Sequence, residues 1–132
     1  MKVYPNKVPR ITATFDMTPD HGDNLQWSIS KTQVIEQLQK TAEEYFELTG
    51  RYYSFILYQG DMTCKHKSGY PKISRLVYSV QSTADPESCV TEHARNQYIS
   101  DCKNILIEIA KLFKHRSIRI ETETVLCDKY VF

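Results

Sequence analysis

Along this chain the spacing of apolar residues switches between a period of two and a period near 3.6, and the order of those switches restricts the fold more than any other feature. Arg10 to Met17 alternates, with Ile11, Ala13, Phe15 and Met17 on one face and Arg10, Thr12, Thr14 and Asp16 on the other. That is the pattern of a half-buried strand. Pro19, Gly22, Asn24 and two aspartates then mark Thr18–Trp27 as a loop. Ser30 with Gln33 forms a capping box, and Ile29 with Val34 supplies the flanking hydrophobic staple. Val34, Ile35, Leu38, Ala42, Tyr45 and Phe46 repeat at helical spacing up to Gly50, which predicts a helix over 31–49.

Segments 51–59 and 72–81 are dense in aromatic and β-branched residues and predict two strands joined by a polar connection, Gly60–Pro71, too long for a tight hairpin. Asp85 and Pro86 read as an N-cap followed by proline at the first helical position. The stripe of Val90, Ala94, Ile99, Cys102, Ile105, Leu106, Ile109 and Phe113 carries that second helix over 86–114. Ser117–Leu126 alternates again, a fourth strand, and 128–132 could add a short hairpin to it. The order βαββαβ with right-handed crossovers predicts an α+β, ferredoxin-like domain spanning 1–132. Its four-stranded antiparallel sheet has order 4-1-3-2, with both helices on one face.

Seventeen basic residues balance sixteen acidic ones, so the net charge of +1 supplies no bulk field for a polyanion. The amino terminus has no apolar run, and Cys64, Cys89, Cys102 and Cys127 lack the spacing of a secreted disulfide framework. A cytoplasmic protein with reduced thiols is expected. The topology gathers Asp16, Asp20, His21, Asp23, Asp61, Cys64, His66 and His115 at one end of the sheet, but their spacing matches no metal motif. Cys89 and His93, four apart on the second helix, form a separate surface pair. Neither a metal site nor a cofactor is expected.

His66-Lys67-Ser68 and His115-Arg116-Ser117 are both His-x-Ser. The pair resembles the His-x-Ser/Thr signature of the 2H phosphoesterases. That resemblance implies a phosphodiesterase in which His66 and His115 act as general base and acid while Ser68 and Ser117 hold phosphate oxygens. Lys65, Lys67, Lys72, Lys114 and Arg116 offer a local basic patch for nucleic acid, although the aromatic signature of an RNA-recognition motif is missing from the third strand.

The sheet face away from the helices carries the stronger signal. Tyr52, Ile56, Tyr58, Ile73 and Val77 break the apolar-in, polar-out rule that the first and fourth strands obey. An uncovered patch of this kind fits a protein partner or a homodimer. The first functional reading is therefore a non-catalytic binding or regulatory domain acting through that face, with the phosphodiesterase and the nucleic-acid binder as alternatives.

Overall fold

The computed structural model describes residues 2–16, 29–64, 73–115 and 117–132. The elements are β1 (Lys2–Asp16), α1 (Lys31–Thr49), β2 (Ile56–Cys64), β3 (Ile73–Thr83), α2 (Glu92–Leu112) and β4 (Arg119–Val131). Their sheet has the order β2-β3-β1-β4 with every pair antiparallel, the order expected from the sequence. Helix α1 starts and stops where its signals stand. Ser30 Oγ accepts the Gln33 N–H at 3.2 Å and Gln33 Oε1 accepts the Ser30 N–H at 2.7 Å. Gly50 closes the helix in the left-handed conformation, φ 73°, where a Cβ would be strained.

Several elements differ from their sequence patterns. β2 runs over Ile56–Cys64 and not over 51–59, so it takes in the first five residues of the expected polar connection Gly60–Pro71. β1 begins at Lys2 instead of Arg10, and its first half pairs with the end of β4, from Lys2 opposite Val131 to Pro9 opposite Thr124. The tail from Asp128 thus continues β4 and makes no hairpin of its own. Pro5 and Pro9 conceal this ribbon in the sequence, because proline cannot donate to a ladder. The Pro9 carbonyl accepts the Ala84 N–H at 3.0 Å, just beyond the end of β3, so the donor-less side of Pro9 faces away from β4. Pro5 has the same parity and lies where, among the described residues, β1 has β4 alone as a neighbour, so neither proline breaks a bond between β1 and β4.

Helix α2 begins at Glu92, one residue after its N-cap Thr91, and not at Pro86. Asp85 instead organises a turn. Its Oδ1 accepts the Glu87 N–H at 3.1 Å and its carbonyl accepts the Ser88 N–H at 3.0 Å, the local bonding that lets aspartate compete with a helix. Lys129 Nζ then holds the Asp85 carboxylate at 2.8 Å, fastening this connection to β4. Cys89 is buried within the connection, so it shares no helix with His93.

The core lies between the sheet and the helices. Ile11, Ala13 and Phe15 from β1, Tyr78 and Val80 from β3, Val34 and Leu38 from α1, and Ile105, Leu106 and Ile109 from α2 are all buried in one cluster. Phe55 and Ile120 are only partly buried, because they belong to the approach to β2 and to β4, the two outermost strands. No helix among the described residues is long and apolar enough to cross a membrane. Ile105→Ala should lower unfolding stability by about 2–5 kcal/mol in urea titration, since it removes a fully enclosed side chain from the junction of α2 and the sheet. A loss under about half a kilocalorie would show that the helix face is wrongly assigned.

Candidate functional site

Of the residues singled out by sequence, His66 and Ser68 lie outside the described residues, and with them the convergence of the two His-x-Ser segments. His115 follows α2, donates its backbone N–H to Ala110 O at 2.9 Å and sets its ring edge against Phe15 at 5.6 Å. Ser117 is exposed just before β4. On the open face of the sheet, Ile56 and Tyr58 are exposed and stand opposite Gln81 and Ser79 of β3, while Val77 is opposite Gly60. Ile73 begins β3 opposite Cys64. Tyr52 precedes β2 and stacks on Phe46 of α1 with ring centroids 4.1 Å apart, so it does not extend the sheet face.

The structure assembles two polar arrangements that no sequence motif marked. The first is buried. Asp101 on α2 accepts from Arg51 Nη2 at 2.8 Å, from Arg51 Nε at 3.2 Å and from Gln97 Nε2 at 3.0 Å, and it also accepts the Tyr53 hydroxyl. Beside it the Tyr53 and Tyr98 rings lie 5.1 Å apart. Ser82 Oγ donates to the Ser54 carbonyl at 2.8 Å, so the Tyr98 hydroxyl is the donor in its bond to Ser82.

Burial pushes the Asp101 carboxyl upward, but the bonds from Tyr53, Arg51 and Gln97 outweigh it and hold the pKa below the usual carboxylate value. Burial, seconded by the bond to Asp101, raises the Tyr53 phenol. Burial likewise raises Tyr98 and pushes the Cys102 thiol up to about 12. These groups are locked in their ordinary protonation states. Both oxygens of Asp101 are engaged, so it could act as a base only by dismantling the bonds that hold segment 51–53 to α2. The cluster is a structural clamp.

The second arrangement is open. Where the β1–β4 ribbon runs past β3, its helix-side residues face the first turns of α2 across a groove of about 700 Å³, within the range of small-molecule sites. Glu92, Arg95, Asn96 and Ile99 form one wall at helical spacing. Thr124, Leu126 and Asp128 alternate along the other, with Lys7 and Pro9 beside them on β1. This groove is at the end of the sheet opposite His115. It escaped the sequence reading because half its floor comes from the ribbon that the prolines conceal.

A family model described as SAM lyase matches residues 20–132. The chain belongs to the SAM lyase family. A solved phage SAM lyase in its apo state shares the fold at TM-score 0.55 and 12% identity, covering 95% of this chain and 90% of that one. A phage SAM lyase in complex with S-methyl-5'-thioadenosine does so at TM-score 0.51 and 13% identity, covering 93% and 89%. No curated protein matches the chain.

Membership of the SAM lyase family corrects the functional expectation. A family of enzymes replaces the non-catalytic binding or regulatory domain, and a lyase replaces both the phosphodiesterase and the nucleic-acid binder. The error has a physical source. Lyase chemistry on a sulfonium requires no nucleophile, paired histidines or metal-ligand spacing, so those signatures do not reveal it. Asp101→Asn should cost about 1–3 kcal/mol of stability at neutral pH, by loss of charge-assisted bonds to a half-exposed Arg51. Because the folded pKa of Asp101 is depressed, its contribution is present above the ordinary carboxylate pKa of 3.8 and is lost as pH falls below it. Urea titrations across that range should show the gap between the two proteins closing in acid.

Proposed function

We propose that this chain cleaves S-adenosylmethionine at the bond between sulfur and the methionine carbon chain, releasing methylthioadenosine. The observation that carries this reading is the match of the SAM lyase family model to residues 20–132, which takes in both helices and three of the four strands. The fold shared with a phage SAM lyase holding S-methyl-5'-thioadenosine supports it, because that molecule is what remains of the substrate's nucleoside half after such a cleavage.

The chemistry explains why so small a site can suffice. Sulfur in the substrate is a sulfonium, so when the C–S bond breaks the electron pair goes to sulfur and a neutral thioether departs. No acid is needed to prepare that leaving group. A lyase adds no water, so the carbon regains its electron pair from within the substrate. Either the substrate's own carboxylate oxygen closes a five-membered lactone on it, or an adjacent C–H pair forms an alkene while its proton leaves. In both routes the positive charge on sulfur disappears in the transition state. The protein gains most by fixing the amino-acid chain in a reactive conformation and by keeping water away from the sulfur. A strong anion held against the sulfur would stabilise the ground state and slow the reaction.

The purified chain incubated with S-adenosylmethionine should release methylthioadenosine in step with substrate loss, read by chromatography, with no S-adenosylhomocysteine formed. Substrate that survives unchanged, or conversion to S-adenosylhomocysteine by methyl transfer, would overturn the reading.

A further inference from the structure

We propose that the groove between α2 and the β1–β4 ribbon binds the amino-acid end of S-adenosylmethionine, with Glu92 and Asp128 facing its ammonium and Arg95 facing its carboxylate. This rests on the lyase reading for the identity of the substrate, while the site and its charges come from the fold. An amino acid in solution carries its two opposite charges on one carbon. A pocket that recognises it must therefore place anionic and cationic groups a few ångströms apart without letting them neutralise each other.

The groove has that composition. Glu92 stands in the first turn of α2 and Asp128 on the facing strand β4, and among the described residues no lysine or arginine nitrogen lies within 4 Å of either carboxylate. Both remain available to a cation. Arg95, on the same helical stripe as Glu92, is held by two neutral acceptors, the carbonyls of Cys89 at 3.2 Å and Val90 at 3.0 Å. Those bonds fix the guanidinium without consuming its charge, and among the described residues no carboxylate approaches it within 4 Å. Lys129 shows the contrast. It lies one residue from Asp128, yet its charge is absorbed by Asp85 at 2.8 Å and Glu87 at 3.5 Å.

Ile99 on the helix wall and Leu126 on the β4 wall add apolar surface to the groove. An apolar surface suits a sulfonium about to become a neutral thioether, since charge is lost on the way to the transition state and a poorly solvating surround favours that loss. The charged groups serve the amino-acid end, whose ammonium and carboxylate both carry their charges when the substrate binds. Glu92, Arg95 and Asp128 all fall within the segment matched by the family model.

The test uses two stable ligands that differ only in the amino-acid end: S-adenosylhomocysteine, which has it, and methylthioadenosine, which lacks it. Calorimetric Kd values are measured for the wild-type chain and for Glu92→Gln combined with Asp128→Asn. Both substitutions are at exposed positions, and an unchanged melting temperature confirms that the fold is kept. The Kd for S-adenosylhomocysteine should rise by about tenfold or more in the variant, while that for methylthioadenosine stays within about twofold. An equal change for both ligands, or no change for either, overturns the assignment, as does a wild-type chain that fails to bind S-adenosylhomocysteine. Release of methylthioadenosine by the wild type is scored separately. If it proceeds while the variant binds both ligands normally, the groove assignment fails and the lyase reading stands. If it is absent while the binding difference is seen, the lyase reading fails and the groove remains an amino-acid site.

Discussion

Ile105, Leu106 and Ile109 of α2 share one closed cluster with Ile11, Ala13 and Phe15 of β1, and every one of the six is essentially inaccessible to water. The other parts of the molecule take their positions from that junction. β1 is hydrogen-bonded on both sides, to β3 and to β4, so fixing it fixes three strands at once. Because helix residues three and four apart share a face, the stripe that seats the second half of α2 also sets the direction in which its first half projects. That projection carries Glu92, Arg95 and Ile99 out over the ribbon of β1 and β4 and creates the groove.

The polar clamp around Asp101 performs a second positioning task at moderate energetic gain. A carboxylate removed from water needs nearly all of its hydrogen-bonding capacity met, and Arg51, Tyr53 and Gln97 meet it. The clamp orients the approach to β2, which among the described residues has β3 alone beside it. A cluster of shifted titratable groups is often an indicator of catalysis. Here the geometry argues otherwise, because the shifts fix Asp101, Tyr53, Tyr98 and Cys102 in their ordinary protonation states and both Asp101 oxygens are already engaged.

The groove has opposite properties, and they suit the reaction of its family. Among the described residues Glu92, Arg95 and Asp128 form no ion pair with one another, and Arg95 is held by neutral carbonyls. A sulfonium is already activated for departure, so the lyase reading asks of the protein orientation and exclusion of water. Such a site has no conspicuous motif. Ordinary surface residue types can form it, provided the backbone brings two elements to face each other at the right separation.

Local signals in the chain determined a large part of the fold. The Ser30–Gln33 box and Gly50 bound α1 at both ends because the groups concerned lie within one turn of each other and interact in any context. Alternation in β1 and β4 and the stripe of α2 carried the order of elements and, with the handedness of crossovers, the sheet order β2-β3-β1-β4. Three features were decided only by tertiary structure. The β1–β4 ribbon is possible because Pro5 and Pro9 turn their donor-less sides away from β4, a fact about neighbours and not about proline. The first turn of α2 was set by the bonds of Asp85 to its own loop and to Lys129, which is 44 residues distant in the chain. The placing of Glu92 and Asp128 along one groove is likewise non-local, since nothing in either segment encodes the other.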